Sequence, residues 1–505
     1  MIINSIQADY GGFNPKYVGV VIRVADQNSC NWLDRAGSIT ENEILSLSPV
    51  QAFDALSMVS VCSHEVRHFH DFLIAPYSQM LWRLRMVILF NGVQTLGHLI
   101  DMKNNESFNC IPVPISSWSR YDYHKRQSML KHLSDLRPLK NGLHYRPCTL
   151  PFFTLDNSLL KLAKNETLNH FDRLIAVTMH YYQMMRNFTF RPPKQSESVI
   201  YQPCHIFELS GLICQMQTIW SDLGKQSLQR FQDIVFKELN VPYIILYRAL
   251  LNIWHRHNKL MPLEMASAIV FWSLMGSYED DKWRACPTFR FAAIHNYLLK
   301  AGPPNGSSLS IQLFDDWSDI TNLSKVNKAF KHGLREADKF PKMIEKVFPL
   351  DLAWANLFDK SIFLKFIKNV CDAQKHMINI FLENPETYID PSKYNNSCSK
   401  YVNPPVRQDF IKGGVLIEKN FESRGEVVYR GFENDQGLQI AQSFSRSVTL
   451  SKIKFIDAQE AHNIFILTSM IDQLFYDQNR DDPDVVMAQR LLQEEVGVFP
   501  FNVDI

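Results

Sequence analysis

Between Pro49 and Pro76 the chain contains no glycine and no further proline, and that stretch constrains the fold more than any other feature. Ser48 suits an N-cap. Pro49 fits the first helical position, where its missing N–H would have no intrahelical partner anyway. Gln51 can reach back to the Ser48 N–H and complete a capping box. Pro76 cannot continue the run. The sequence therefore predicts one helix from Pro49 to about Ile74, around which the neighbouring elements must pack.

The second half of that helix reads Ser63-His64-Glu65-Val66-Arg67-His68-Phe69-His70-Asp71. At about 100° per residue, His64 and His68 lie about 40° apart on one face, one turn apart. Two imidazoles so placed can bind one metal ion at roughly 2.0–2.1 Å each. Glu65 flanks that face and can reach a water to take its proton, with the metal lowering the water's pKa towards roughly 7. Asp71 returns to the ligand face seven residues after His64. It either orients a ligand histidine or forms an i,i+4 pair with Arg67. His70 points away from the face.

HExxH on a helix resembles the signature of the zincin metallopeptidases. The resemblance covers about ten residues of the 505 and implies a zinc site with Glu65 as general base. The longer metzincin pattern is missing, because position 74 is Ile74 rather than histidine. A di-metal carboxylate bundle would need a second ExxH, and the chain has none. A gluzincin-like or aspzincin-like arrangement remains, with a distal carboxylate as third ligand.

Three protein ligands and one open position suit a catalytic zinc. The best distal candidate is Glu208 in Cys204-His205-Ile206-Phe207-Glu208-Leu209-Ser210-Gly211-Leu212. An acid among such neighbours would be buried, at a cost of several kcal/mol unless it has a partner. Ser210 and Gly211 are small enough to let another helix approach closely. The segment looks like the glutamate-bearing helix of gluzincins. The competing explanation is that Glu208 reaches solvent or a nearby arginine. His205, one turn earlier, could donate a hydrogen bond to a developing oxyanion or simply pack. Glu264 is the alternative ligand, although a first-turn carboxylate beside Pro262 is also explained by the helix dipole. Asp71 is the third alternative.

Apolar residues make up 46% and charged residues 21%, and 53 basic against 52 acidic side chains leave a net charge of +1. That balance gives no electrostatic case for nucleic acid or an anionic membrane. The longest apolar stretch, Met80 to Leu99, is interrupted by Arg83 and Arg85 and reads as a buried helix rather than a membrane span. Nine scattered cysteines without a CxxC, and a first segment without a basic-then-apolar pattern, favour a reducing, cytoplasmic setting. No GxxxxGK[ST], GxGxxG or GxSxG occurs, so phosphate cradles and nucleophile elbows find no support.

The expected architecture is mainly α with minor β. A metallohydrolase region over 1–302 has a short β-containing N-terminus, with Tyr17–Ile22 as a strand and Gly11–Pro15 as a turn. A C-terminal helical module spans 303–505, after the linker signal Ala301-Gly302-Pro303-Pro304-Asn305-Gly306. Helical periodicity predicts helices at 77–102, 127–133, 166–187, 204–223, 225–239, 242–257, 262–276, 286–300, 323–347, 361–385, 457–478 and 483–495. Residues 386–406 read as a polar, Pro-rich connection, followed by a hairpin over 415–429. The functional expectation is a zinc-dependent hydrolase acting on a peptide or protein. The alternative is a non-catalytic helical scaffold with a structural metal or none.

Overall fold

The computed structural model describes residues 10–14, 18–24, 27–80, 82–83, 86, 121–126, 203–238, 241–277, 283–304, 309–347, 360–397, 400–404 and 406–410. The architecture is mainly helical with a small sheet. Strand β1 (Gly11–Asn14) pairs antiparallel with β2 (Gly19–Val24). Helices α1 (Gln27–Asp34), α2 (Glu41–Ser46) and α3 (Pro49–Ile74) follow. A further helix opens at Pro76. Next come α4 (Pro203–Leu223), α5 (Lys225–Glu238), α6 (Pro242–Arg256), α7 (Leu263–Leu274) and α8 (Pro287–Ala301). Then α9 (Ile311–Thr321), α10 (Val326–Val347), α11 (Lys360–Glu383), α12 (Glu386–Ile389), α13 (Pro391–Ser397) and β3 (Val406–Phe410) complete the described elements.

Helix α3 has the ends its sequence dictates. The Ser48 side chain accepts from the Gln51 N–H, the Gln51 side chain accepts from the Ser48 N–H, and Pro49 opens the helix. Ala75 at the C-cap is extended, as a residue before proline prefers. Nearly every residue from Ala52 to Ile74 is buried, so α3 is a central helix rather than a surface one. Helix α4 packs along it, with β1 and β2, α1, α5 and α11 around the rest. Any polar side chain in its second half must therefore find a partner inside the protein.

Several predicted elements recur with small shifts at their ends, from α4 to α8 and again at α10 and α11. Helix α8 stops where the Gly302 signal lies, with Gly302 at φ 81° as its C-cap. Three readings change. The Gly11–Pro15 turn is strand β1 over its first four residues. Residues 386–397 form α12 and α13, and Tyr388, Tyr394 and Tyr401 from this region are buried. Helices α1, α2 and α9 were not anticipated. The hairpin expected over 415–429 and the helices expected at 127–133, 166–187, 457–478 and 483–495 lie outside the described residues, as does most of 77–102.

Strand β3 pairs parallel with β2, Val20 opposite Val406 through Val24 opposite Phe410. The sheet order is β1-β2-β3. After α11, α12 and α13 pack on α7 and α4, and β3 joins the N-terminal sheet. No helix among the described residues is long and apolar enough to cross a membrane.

Candidate metal centre

His64, Glu65 and His68 form a group that could hold a metal ion, their ligand atoms all within 4.8 Å of one another. The rings of His64 and His68 stand at 88° with centroids 4.6 Å apart. Glu208 of α4 joins them. Its Oε2 lies 3.1 Å from His64 Nε2 and 3.5 Å from His68 Nε2. Four ligands placed tetrahedrally at roughly 2.0–2.1 Å stand roughly 3.3 Å from one another. The two observed separations bracket that spacing, so Glu208 stands at ligand spacing from each histidine. The donor set, two imidazoles and a carboxylate, is one that suits zinc.

Glu65, within the same group, also touches the sheet. Its Oε1 lies beneath β1, where a Cβ on Gly11 would come within 2.7 Å of it and of Val61 Cγ2. Only glycine allows the strand this close to the helix. On α4, a Cβ on Gly211 would come within 2.8 Å of the His64 ring. Absence of a side chain there brings α4 near enough for Glu208 to reach both histidines. The expectation of close approach at Ser210-Gly211 is met at Gly211.

Gln215, seven residues after Glu208 and so on the same face of α4, orients His64. The Ser60 hydroxyl donates to the Leu56 carbonyl, so it accepts from Gln215 Nε2 at 2.9 Å. That turns Gln215 Oε1 towards His64 Nδ1, 3.3 Å away. Nδ1 is then the donor of that pair, and Nε2 faces Glu208 Oε2 at 3.1 Å. The sequence reading did not include Gln215 or Ser60. Their spacing, seven after Glu208 and four before His64, was the available signal.

His68 is buried and neither of its ring nitrogens makes a hydrogen bond. Burial alone would lower its pKa, but Glu208, with Glu65 and Asp71, lifts it to about 9. For Glu208, burial would raise the pKa, yet His68 and His64 hold the carboxyl well below the usual carboxylate range. The cluster therefore favours a cation between imidazoles and carboxylate, and a divalent metal can take the place of a proton there. Contrary to the burial expected from its neighbours in sequence, the Glu208 side chain is 41% exposed, which leaves an approach from solvent.

Asp71 makes no hydrogen bond to either ligand histidine. The Arg67 alternative is the one realised, with Arg67 Nε 3.2 Å from Asp71 Oδ1, and the Tyr388 hydroxyl donates to Asp71 Oδ1 at 2.7 Å. His205 neighbours Glu208 electrostatically, and burial lowers its pKa. Glu264 sits in the first turn of α7, and the ion pairs of His64 and His68 run to Glu208 instead. His70 faces away from the ligands, as expected. Its Nε2–H donates to the Val402 carbonyl at 2.8 Å, so its Nδ1 accepts from the Tyr394 hydroxyl at 2.6 Å.

No protein-family description, curated protein or solved structure matches this chain. The case for a metal centre accordingly stands on the geometry of α3 and α4.

Proposed function

We propose that the protein is a zinc-dependent hydrolase, and specifically a peptidase, with His64, His68 and Glu208 as metal ligands and Glu65 as general base. The observation that carries the reading is the convergence of Glu208 Oε2 on both imidazole Nε2 atoms at 3.1 and 3.5 Å.

A zinc ion so held supplies Lewis acidity that polarises a carbonyl and brings the pKa of water down towards roughly 7. Gln215 keeps the His64 proton on Nδ1 and the Nε2 lone pair available. The Glu65 carboxylate, at 6% exposure, takes a proton from the attacking water and returns it to the leaving amine. His205, near Glu208, is the candidate donor to the developing oxyanion. A peptide is favoured over other carbonyl substrates by β1. It is an edge strand of the described sheet, it lies against Glu65 at Gly11, and extended peptides add to such edges through main-chain hydrogen bonds.

The scaffold alternative draws on one observation: Glu65 and His68 are both buried, and closed sites are characteristic of structural metals. Metal analysis of purified protein and of Glu65→Gln separates the two. The hydrolase reading expects about one zinc per chain in both proteins, with hydrolysis of a peptide library reduced roughly 10²–10⁴-fold in the variant. A trace of zinc unchanged by His64→Ala sinks the metal site. Full zinc with no effect of Glu65→Gln on any readout favours the scaffold.

A further inference from the structure

We propose that Arg67 is a positioning residue for the metal centre, locking the rotation of α4 that carries Glu208 and held in turn by residues 386–397. The inference rests on the metal-binding reading above and deepens it.

Arg67 lies between the two ligand histidines in sequence, about 60° around α3 from His64 and on the side away from Glu65. It is 2% exposed. Its Nε donates to Ser210 Oγ at 3.2 Å and to Asp71 Oδ2 at 3.3 Å. Its Nη1 donates to the Tyr388 carbonyl at 2.9 Å. The guanidinium packs against two aromatic rings, 4.2 Å from the Tyr388 centroid and 4.5 Å from that of Tyr394. Burial opposes its charge, and Asp71 keeps it protonated.

The contact that matters for the metal is Ser210. On α4, Glu208 and Gln215 share one stripe, Gly211 lies beside it, and Ser210 lies further round. His64 packs on the first of these surfaces and Arg67 bonds the last. The two contacts therefore pin α4 at two angles about its own axis. A carboxylate roughly 5–6 Å from a helix axis moves about 1 Å for a 10° rotation. Metal–ligand distances tolerate only about 0.2 Å. The Arg67–Ser210 bond ties α4 directly to α3 on that side of the seam, where the Asn395 bonds to Cys214 Sγ and Thr218 Oγ1 are the other polar restraints among the described residues.

Residues 386–397 hold Arg67 where it is. Tyr388 contributes its carbonyl and ring to Arg67 and its hydroxyl to Asp71. Asn395 Nδ2 donates to Thr218 Oγ1 on α4 at 3.3 Å. Tyr394 also packs its ring against Arg67 and donates to His70. The segment thus grips both ligand-bearing helices, and Arg67 is the side chain at which the two grips meet.

Ser210→Ala removes only the link to α4 and leaves the Arg67–Asp71–Tyr388 cluster whole. Arg67→Lys keeps the charge but not the fork of donors. Both are compared with the wild type for Zn²⁺ affinity by chelator competition, for the visible spectrum of the Co²⁺-loaded protein, and for melting temperature. The expected result is Zn²⁺ affinity about 10-fold weaker in Ser210→Ala and about 100-fold weaker in Arg67→Lys, with altered cobalt bands in both. Ser210→Ala should melt within a few degrees of the wild type and decides the matter if Arg67→Lys fails to fold. Wild-type affinity and unchanged cobalt bands in folded Ser210→Ala overturn the proposal and leave the metal site standing. A wild-type chain that binds neither Zn²⁺ nor Co²⁺ overturns the metal reading and this inference together.

Discussion

Around α3, the flank formed by Arg67, His70 and Asp71 and the ridge formed by His64 and His68 use similar residue types within eight positions of chain, yet they are satisfied in different ways. On the flank, the protein supplies the partners itself. Arg67 bonds Asp71, Ser210 and Tyr388, Asp71 also accepts from Tyr388, and His70 is bonded at both nitrogens. On the ridge, His68 is buried without a hydrogen bond, and Glu208 is shared between two imidazoles. Buried polar groups left short of partners are costly. The contrast teaches that burial alone does not mark function. A buried histidine whose needs are met internally, such as His70, is architecture. One whose lone pair converges with other donors is a candidate ligand.

The comparison breaks most forcefully on the flank. Asp71→Ala leaves the buried Arg67 charge without its carboxylate and should cost about 3–5 kcal/mol of stability. Urea unfolding of the variant checks this, and a loss under 1 kcal/mol would mean that the flank is not the rigid side. On the ridge, Gln215→Leu frees His64 Nδ1 and should weaken zinc binding about 10–100-fold. It should leave the melting temperature of metal-free protein nearly unchanged. Equal zinc affinity would remove Gln215 from the centre.

A third prediction separates the histidines by pH. Burial, the largest influence, pushes His70 down to about 3. Below the unfolded value of about 6.5 the unfolded chain takes up a proton that the folded one refuses, so stability falls as pH drops from about 6.5 towards 3. From pH 6.5 to 5 the loss is about 2 kcal/mol, and His70→Gln should abolish that part of the slope. Parallel slopes in wild type and variant would contradict it. His68 behaves oppositely. Its pKa of about 9 means that metal-free protein gains stability from the His68 proton below about pH 6.5 and loses it as pH rises through about 9. Zinc must displace that proton, so zinc affinity should rise about tenfold per pH unit up to about pH 9. A pH-independent affinity over that range would show that His68 is not a ligand.

Helix α3 was legible in the sequence to both ends, because its signals are local: a capping box, a proline at each limit and an unbroken interior. The pair His64 and His68 followed from helical spacing, and Glu208 from an acid placed among apolar and small residues. Strand β1 was not legible, since Gly11-Gly12 signals a turn when read alone. Its identity depends on β2 beside it and Glu65 beneath it. Tyr388 and Tyr394 were equally hidden, sitting in a polar stretch whose partners lie some 320 positions earlier, at Arg67 and His70.

The amino-acid sequence by itself determined the frame of α3, the mainly helical class and the facing of two imidazoles, all consequences of periodicity and capping within a few turns of chain. Tertiary structure alone decided that Glu208, rather than Glu264 or Asp71, meets those imidazoles. It also decided that Asp71 serves Arg67 and that residues 386–397 close over the flank. Those choices turn on how near two helices come, and a missing Cβ at Gly211 sets that distance between residues some 150 positions apart.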